Sequence, residues 1–150
     1  MNDPANIGPS KVGIISCSGE EIPEGTISRL ATLRVLRTLR PDASVTICLP
    51  LFLAGERGER NFATTHPTIT VDGCEKQCAR SGTEQHSGPV TRSLVVSDIL
   101  GTDCGDCQRS IRSPGSSDEK AVRIVAEQIA SAVDEVLQEQ GTSPRVGDDE

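Results

Sequence analysis

Four short runs of β-branched and aliphatic residues, each bounded by turn formers, constrain this chain more than any other feature. They are Val-Gly-Ile-Ile-Ser at 12–16, Ser-Val-Thr-Ile at 44–47, Thr-Ile-Thr-Val at 68–71 and Ser-Leu-Val-Val-Ser at 93–97. Near-continuous apolar character without alternation is the pattern of strands covered on both faces. Such strands need helices above and below them. Residues 26–40 supply one helical pattern, with Ile27, Leu30, Leu33 and Leu36 at three-residue steps and Val35 and Leu39 close to the same face. Pro41 and Asp42 stop it. The clearest helix is 117–140, with Ser117 as N-cap and Asp118 and Glu119 in the first turn. Val122, Val125, Ile129, Val133, Val136 and Leu137 form its apolar stripe, and Gly141 is expected to end it. The stretch 50–67 holds Gly55 and Gly58 and reads as a loop or short helix. This order predicts an α/β fold: a small three-layer, Rossmann-like domain with a mainly parallel four-stranded sheet and a C-terminal helix.

At 150 residues the chain has the length of one domain with a core of its own. That core must be aliphatic, because Trp and Tyr are absent and Phe52 and Phe62 are the sole aromatics. Residues 1–10 read as a flexible N-terminus, 11–141 as a single domain and 142–150 as a disordered acidic tail. The net charge is −7, and the twelve arginines among fifteen basic residues are scattered and form no stripe. Without stacking aromatics, this balance argues against nucleic-acid binding. No stretch reaches the roughly 18 apolar residues of a membrane span. The N-terminus has no basic region followed by an apolar run, so a cytoplasmic protein with reduced thiols is expected. A protein partner is compatible with this picture, and nothing identifies one.

The cysteines fall where the strands end. Cys17 follows the first run directly, Cys48 closes the second, and Cys74 comes shortly after the third, with Cys78 four residues on. Cys104 and Cys107 lie further past the fourth. In a parallel sheet all carboxyl ends share one edge, where such folds place their sites. Singly, each has a bland reading, and Cys48, in an apolar setting, reads as a buried core residue. Jointly, four thiolates suit a tetrahedral Zn²⁺ at about 2.3 Å or an iron–sulfur cluster. The spacing of Cys74 and Cys78 places both sulfurs on one face of a helix start, with Gly73 turning the backbone into it.

Lys11-Val12-Gly13-Ile14-Ile15-Ser16-Cys17-Ser18-Gly19, Cys48 after an apolar strand, and Asp72-Gly73-Cys74 with Cys78-Ala79 together resemble the DGC-domain proteins, a family described as zinc-binding and named for its Asp-Gly-Cys tripeptide. The resemblance implies that Cys17, Cys48, Cys74 and Cys78 are the metal ligands; Cys104 and Cys107 lie outside the family's pattern and stand as additional candidates that replace one of the four, form a second dithiol or do nothing. It implies a closed four-thiolate site, structural or sensory, so a non-catalytic metal carrier, sensor or accessory protein outranks an enzyme.

Two other chemistries compete. Cys74 with Arg80 and Ser81 matches the Cys-x₅-Arg-Ser string of cysteine-dependent phosphatases, although residues 75–79 hold no glycine to build an anion nest. A thiol redox role could use Cys74 with Cys78 or Cys104 with Cys107. His66 and His86 read as surface residues, the latter in a polar loop, with His86 a minor candidate ligand.

Overall fold

A computed structural model describes residues 11–19, 22–103 and 116–142. The expectations for residues 1–10, for Cys104 and Cys107, and for the tail beyond Thr142 lie outside the described residues. Among these, β1 (Val12–Ser16) leads to α1 (Pro23–Arg34), which continues as a π-helical turn over Val35–Leu39. Next come β2 (Ser44–Val45), three short helices α2 (Leu49–Leu53), α3 (Arg57–Arg60) and α4 (Phe62–Thr65), and then β3 (Thr68–Asp72). The chain continues through α5 (Cys78–His86), β4 (Arg92–Val95), α6 (Val96–Asp103) and α7 (Ser116–Thr142). The sheet order is β2-β1-β3-β4, and every pairing is parallel. The α/β class, the four-stranded parallel sheet and the closing helix are as the sequence predicts.

Boundaries differ in instructive ways. The second strand ends at Val45, two residues early, because the Thr46 hydroxyl donates to the Ile14 carbonyl and takes the place of a ladder bond. The fourth strand gives way to α6 at Val96, so a helix stands between the strand end and Cys104. Gly141 does not end α7, which runs one residue beyond it. In α1 and the π-helical turn the buried positions are Gly25, Thr26, Ile27, Ser28, Ala31, Thr32 and Val35, while Leu33 and Leu36 stay half-buried. Small residues line that face because α1 lies close against α7 and the sheet.

The two sheet faces are unequal. One buries Val12, Ile14, Ile69 and Val71 against α1, α6 and α7, with Val125, Ile129 and Val133 at the centre. That core is wholly aliphatic, as the composition demands. Three ion pairs, Arg34–Glu119, Arg40–Asp134 and Arg92–Glu139, hold α7 along its length. The other face is thinner, with Ile15, Phe62 and Ala79 as its buried cluster. Gly13 makes room for Phe62, since a Cβ there would come within 2.4 Å of the phenyl ring. Thr70, also on this face, is fully buried and its hydroxyl has no partner among the described residues. Burying an unpaired hydroxyl costs about 1–3 kcal/mol. Thr70→Val, which keeps the shape, is expected to stabilise the protein by about 1 kcal/mol in urea denaturation.

Candidate functional site

The chain leaves β1 toward β2 on one side and leaves β3 toward β4 on the other, so the strand order reverses between two neighbouring strands. At such a switch point the loops diverge, one to each face, and leave a crevice at the carboxyl edge. Cys17 and the Asp72-Gly73-Cys74 turn flank that crevice.

Cys17 extends the ladder, its N–H donating to the Val71 carbonyl at 2.9 Å. Its Sγ accepts from the Gly73 N–H at 3.3 Å and lies 3.5 Å from Ser28 Oγ. Ser28 spends its single hydroxyl hydrogen on the Gly25 carbonyl at 2.6 Å. The Cys17 S–H is therefore the donor toward Ser28, and the sulfur sits in a chain running from Gly73 N–H to Gly25 C=O. The backbone of Ser18 then turns left-handed (φ 53°), and its hydroxyl meets that of Ser16 at 2.9 Å.

Each residue of the tripeptide has a separate physical task. Asp72 is 1 % exposed and its carboxylate accepts from the N–H of Ala79 at 2.7 Å and of Arg80 at 3.2 Å. It thus caps α5 from the end of β3, satisfying N–H groups that a helix start leaves unpaired. Gly73 allows a close approach. A Cβ there would lie 2.7 Å from Gly25 N and 2.9 Å from Gly25 Cα. The first turn of α1 is packed directly on it. Cys74 opens a turn closed by the Gln77 N–H on its carbonyl at 3.2 Å, and Gln77 is left-handed (φ 51°). The helix therefore starts at Cys78, and Cys74 lies outside it. This corrects the expectation that both sulfurs share one helix face, and Gly73 serves helix packing instead of helix entry.

Burial pushes the Asp72 carboxyl up from its ordinary range, against the lowering pull of the two N–H bonds and the Arg80 charge. An acid with a raised folded pKa contributes stability below its unfolded value of 3.8 that is lost as pH rises through the folded value. Wild type is accordingly expected to lose stability relative to Asp72→Asn as pH rises from about 4 to 7. Paired urea titrations at the two ends of that range check the sign.

The structure puts Cys17, Cys48, Cys74 and Cys78 on the carboxyl edge as free thiols, with Cys17 and Cys74 half-buried and Cys48 and Cys78 exposed. Cys48 is thus not a core residue. The early end of β2 carries it out of the sheet to the N-terminus of α2, where its N–H donates to the Glu59 carboxylate at 2.8 Å. Among the described residues, no three His, Cys, Asp or Glu side chains gather closely enough to hold a metal ion. Cys104 and Cys107 lie outside the described residues.

The phosphatase arrangement finds no support here. The N–H groups of Ala79 and Arg80, which would face a phosphate, already serve Asp72, and the Arg80 guanidinium pairs with Glu84 at 3.1 Å.

No spacing or motif in the sequence marks the cleft beside this edge. It has a volume of about 280 Å³ and is bounded by the end of β1, by α2 and by α5, with Ile15, Cys17, Ile47, Phe52, Cys78 and His86 in its wall. His86 is the last residue of α5, not part of a loop, because the helix runs on to it before Ser87. Its Nδ1 stands 3.2 Å from an Arg60 nitrogen and its ring meets Phe52 edge-on at 6.4 Å.

The DGC family model matches residues 13–136, which takes in the sheet, the tripeptide turn and most of α7. The chain belongs to the DGC domain family. No curated protein and no solved structure gives a significant match to it. In this DGC domain the naming tripeptide joins three parts of the fold: Asp72 fixes α5, Gly73 seats α1 and contacts the Cys17 sulfur, and Cys74 opens onto the rim.

Proposed function

We propose that this DGC domain binds a thiophilic metal ion, zinc by first choice, through Cys17, Cys48, Cys74 and Cys78. The observation that carries the reading is the Gly73 N–H donated to the Cys17 sulfur at the topological switch point. An N–H aimed at sulfur stabilises a metal-bound thiolate and orients it, a device that recurs around metal sites. It ties the thiol of β1 to the turn carrying Cys74. The donor chemistry fits zinc, since four free thiols from four chain segments lie on one edge. Among the described residues no three ligands lie close enough to hold an ion, so the thiols must draw together to complete a tetrahedron. On binding, Cys17 gives up the S–H that now meets Ser28. With four protein ligands the ion holds the loops together and takes no substrate, which favours a carrier, sensor or accessory role over catalysis.

The test is metal analysis and an absorption spectrum of protein purified without air. Colourless protein with one equivalent of zinc supports the reading, and stoichiometric iron with a brown chromophore replaces it with a cluster. Metal-free protein that refuses added zinc and keeps six reactive thiols overturns both. A Cys104→Ser/Cys107→Ser protein that retains full zinc content restricts the ligands to the four rim positions.

A further inference from the structure

We infer that the cleft between α2, α5 and the end of β1 binds a small apolar carboxylate. Its volume of about 280 Å³ falls just under the roughly 300–1,000 Å³ typical of ligand sites, and suits a body of a few carbons better than a nucleotide. The body has an apolar wall to meet: Ile15, Ile47, Leu49, Phe52 and Leu53. Leu53, 68 % exposed, lies at the mouth of this wall.

The polar end is best served by His86. Of the hydroxyls in the wall, that of Thr83 donates to the Ala79 carbonyl, and that of Ser16 shares a hydrogen bond with Ser18 in which either oxygen can donate. Sulfur is a weak partner, and His86 is the one wall side chain that offers a ring N–H. Arginine cannot accept a hydrogen bond, so Nδ1 of His86 accepts from Arg60 and the neutral ring carries its proton on Nε2. The ring is therefore a directed donor with a cation behind it. Arg60 itself is held by the Phe52 carbonyl at 2.7 Å and the Leu53 carbonyl at 3.4 Å, and lies 5.4 Å from the Phe52 ring centre. None of the ion pairs among the described residues involves Arg60. No carboxylate among the described residues therefore lies within ion-pair distance of it. The carboxyl end of α5 opposes an anion at His86 with about half a unit charge, and the full charge of Arg60 exceeds it. A donor backed by a cation that forms no ion pair among the described residues, at one end of an apolar cleft, matches an anionic head on a short hydrocarbon.

The inference does not rest on metal binding, so the experiment uses the full chain with a chelator present. Hexanoate is titrated into ¹⁵N-labelled protein and compared with hexanamide, which has the same body without the charge. Saturable amide shifts at Ile47, Leu49, Phe52 and Leu53, with hexanamide at least about tenfold weaker, are expected, since a hydrogen bond to a charged group is worth about a tenfold factor or more. His86→Ala is expected to lose most of the preference for the acid, the remainder being the charge of Arg60. The absence of saturable shifts, or equal affinity of wild type for acid and amide, overturns the proposal. That comparison needs no variant to fold.

Discussion

Gly73→Ala is expected to destabilise the domain by about 3 kcal/mol, the upper part of the range for forcing a methyl into packed surroundings. The atoms it would meet are backbone: Gly25 N at 2.7 Å, with the carbonyl carbon of Glu24 and Gly25 Cα at 2.9 Å. A flexible side chain could swing away, but the first turn of α1 cannot move without disturbing Ile27 and Ala31 in the main core. The same shift would pull the Gly73 N–H from the Cys17 sulfur and the Gly73 carbonyl from the Ser97 N–H, now 3.3 and 3.2 Å apart. Gly82→Ala is the matched control. It sits within α5 with nothing inside 4 Å of the added methyl, so the change is expected to stabilise by about 0.5–1 kcal/mol through helix propensity. Urea denaturation of both variants separates a packing requirement at Gly73 from a general intolerance of alanine. Equal effects of the two would remove the steric account.

On the proposed metal reading, zinc binding is expected to be a folding event at the rim as well as a binding event. The ligands come from the end of β1, the start of α2, the turn after β3 and the start of α5. One ion would join four segments that the described hydrogen bonds link only in part. Free zinc at about 1,000 times its dissociation constant stabilises the folded state by about 4 kcal/mol. For a chain of this size that raises the melting temperature by about 10 °C. Differential scanning calorimetry with zinc and with a chelator measures the difference. Cys48→Ser is expected to lose most of the increment while leaving the chelated protein's melting temperature unchanged, because Cys48 is exposed and its N–H bond to Glu59 survives the substitution. An unchanged increment in that variant would remove Cys48 from the ligand set.

The strands and the two long helices were legible because each is a periodic burial pattern, and burial of apolar surface drives those elements. The 12–16 run is the observed β1 to the residue, and every residue of the expected stripe of α7 from Val122 to Val136 is buried. The errors fall where a tertiary contact overrides local pattern. Cys48 reads as a core residue by its neighbours, yet the Thr46 hydroxyl ends the strand and carries it to the surface. His86 reads as a loop residue, yet α5, capped at Ala79 and Arg80 by Asp72, extends to it. Leu33 and Leu36 fit a three-residue step, but the face that α7 and the sheet cover follows Ile27, Ala31 and Val35 at four-residue steps.

By itself the sequence determined the fold class, the aliphatic core, the family and the set of rim thiols, because strand ends and cysteines coincide along the chain. The tertiary structure alone decided what the tripeptide does: its aspartate, glycine and cysteine act on α5, on α1 and on the open edge in turn. It alone disclosed the cleft and its Arg60–His86 pair. Both rest on contacts between residues far apart in the chain, set by the pairing of β1 beside β3 at the switch point, and no local spacing encodes such a pairing.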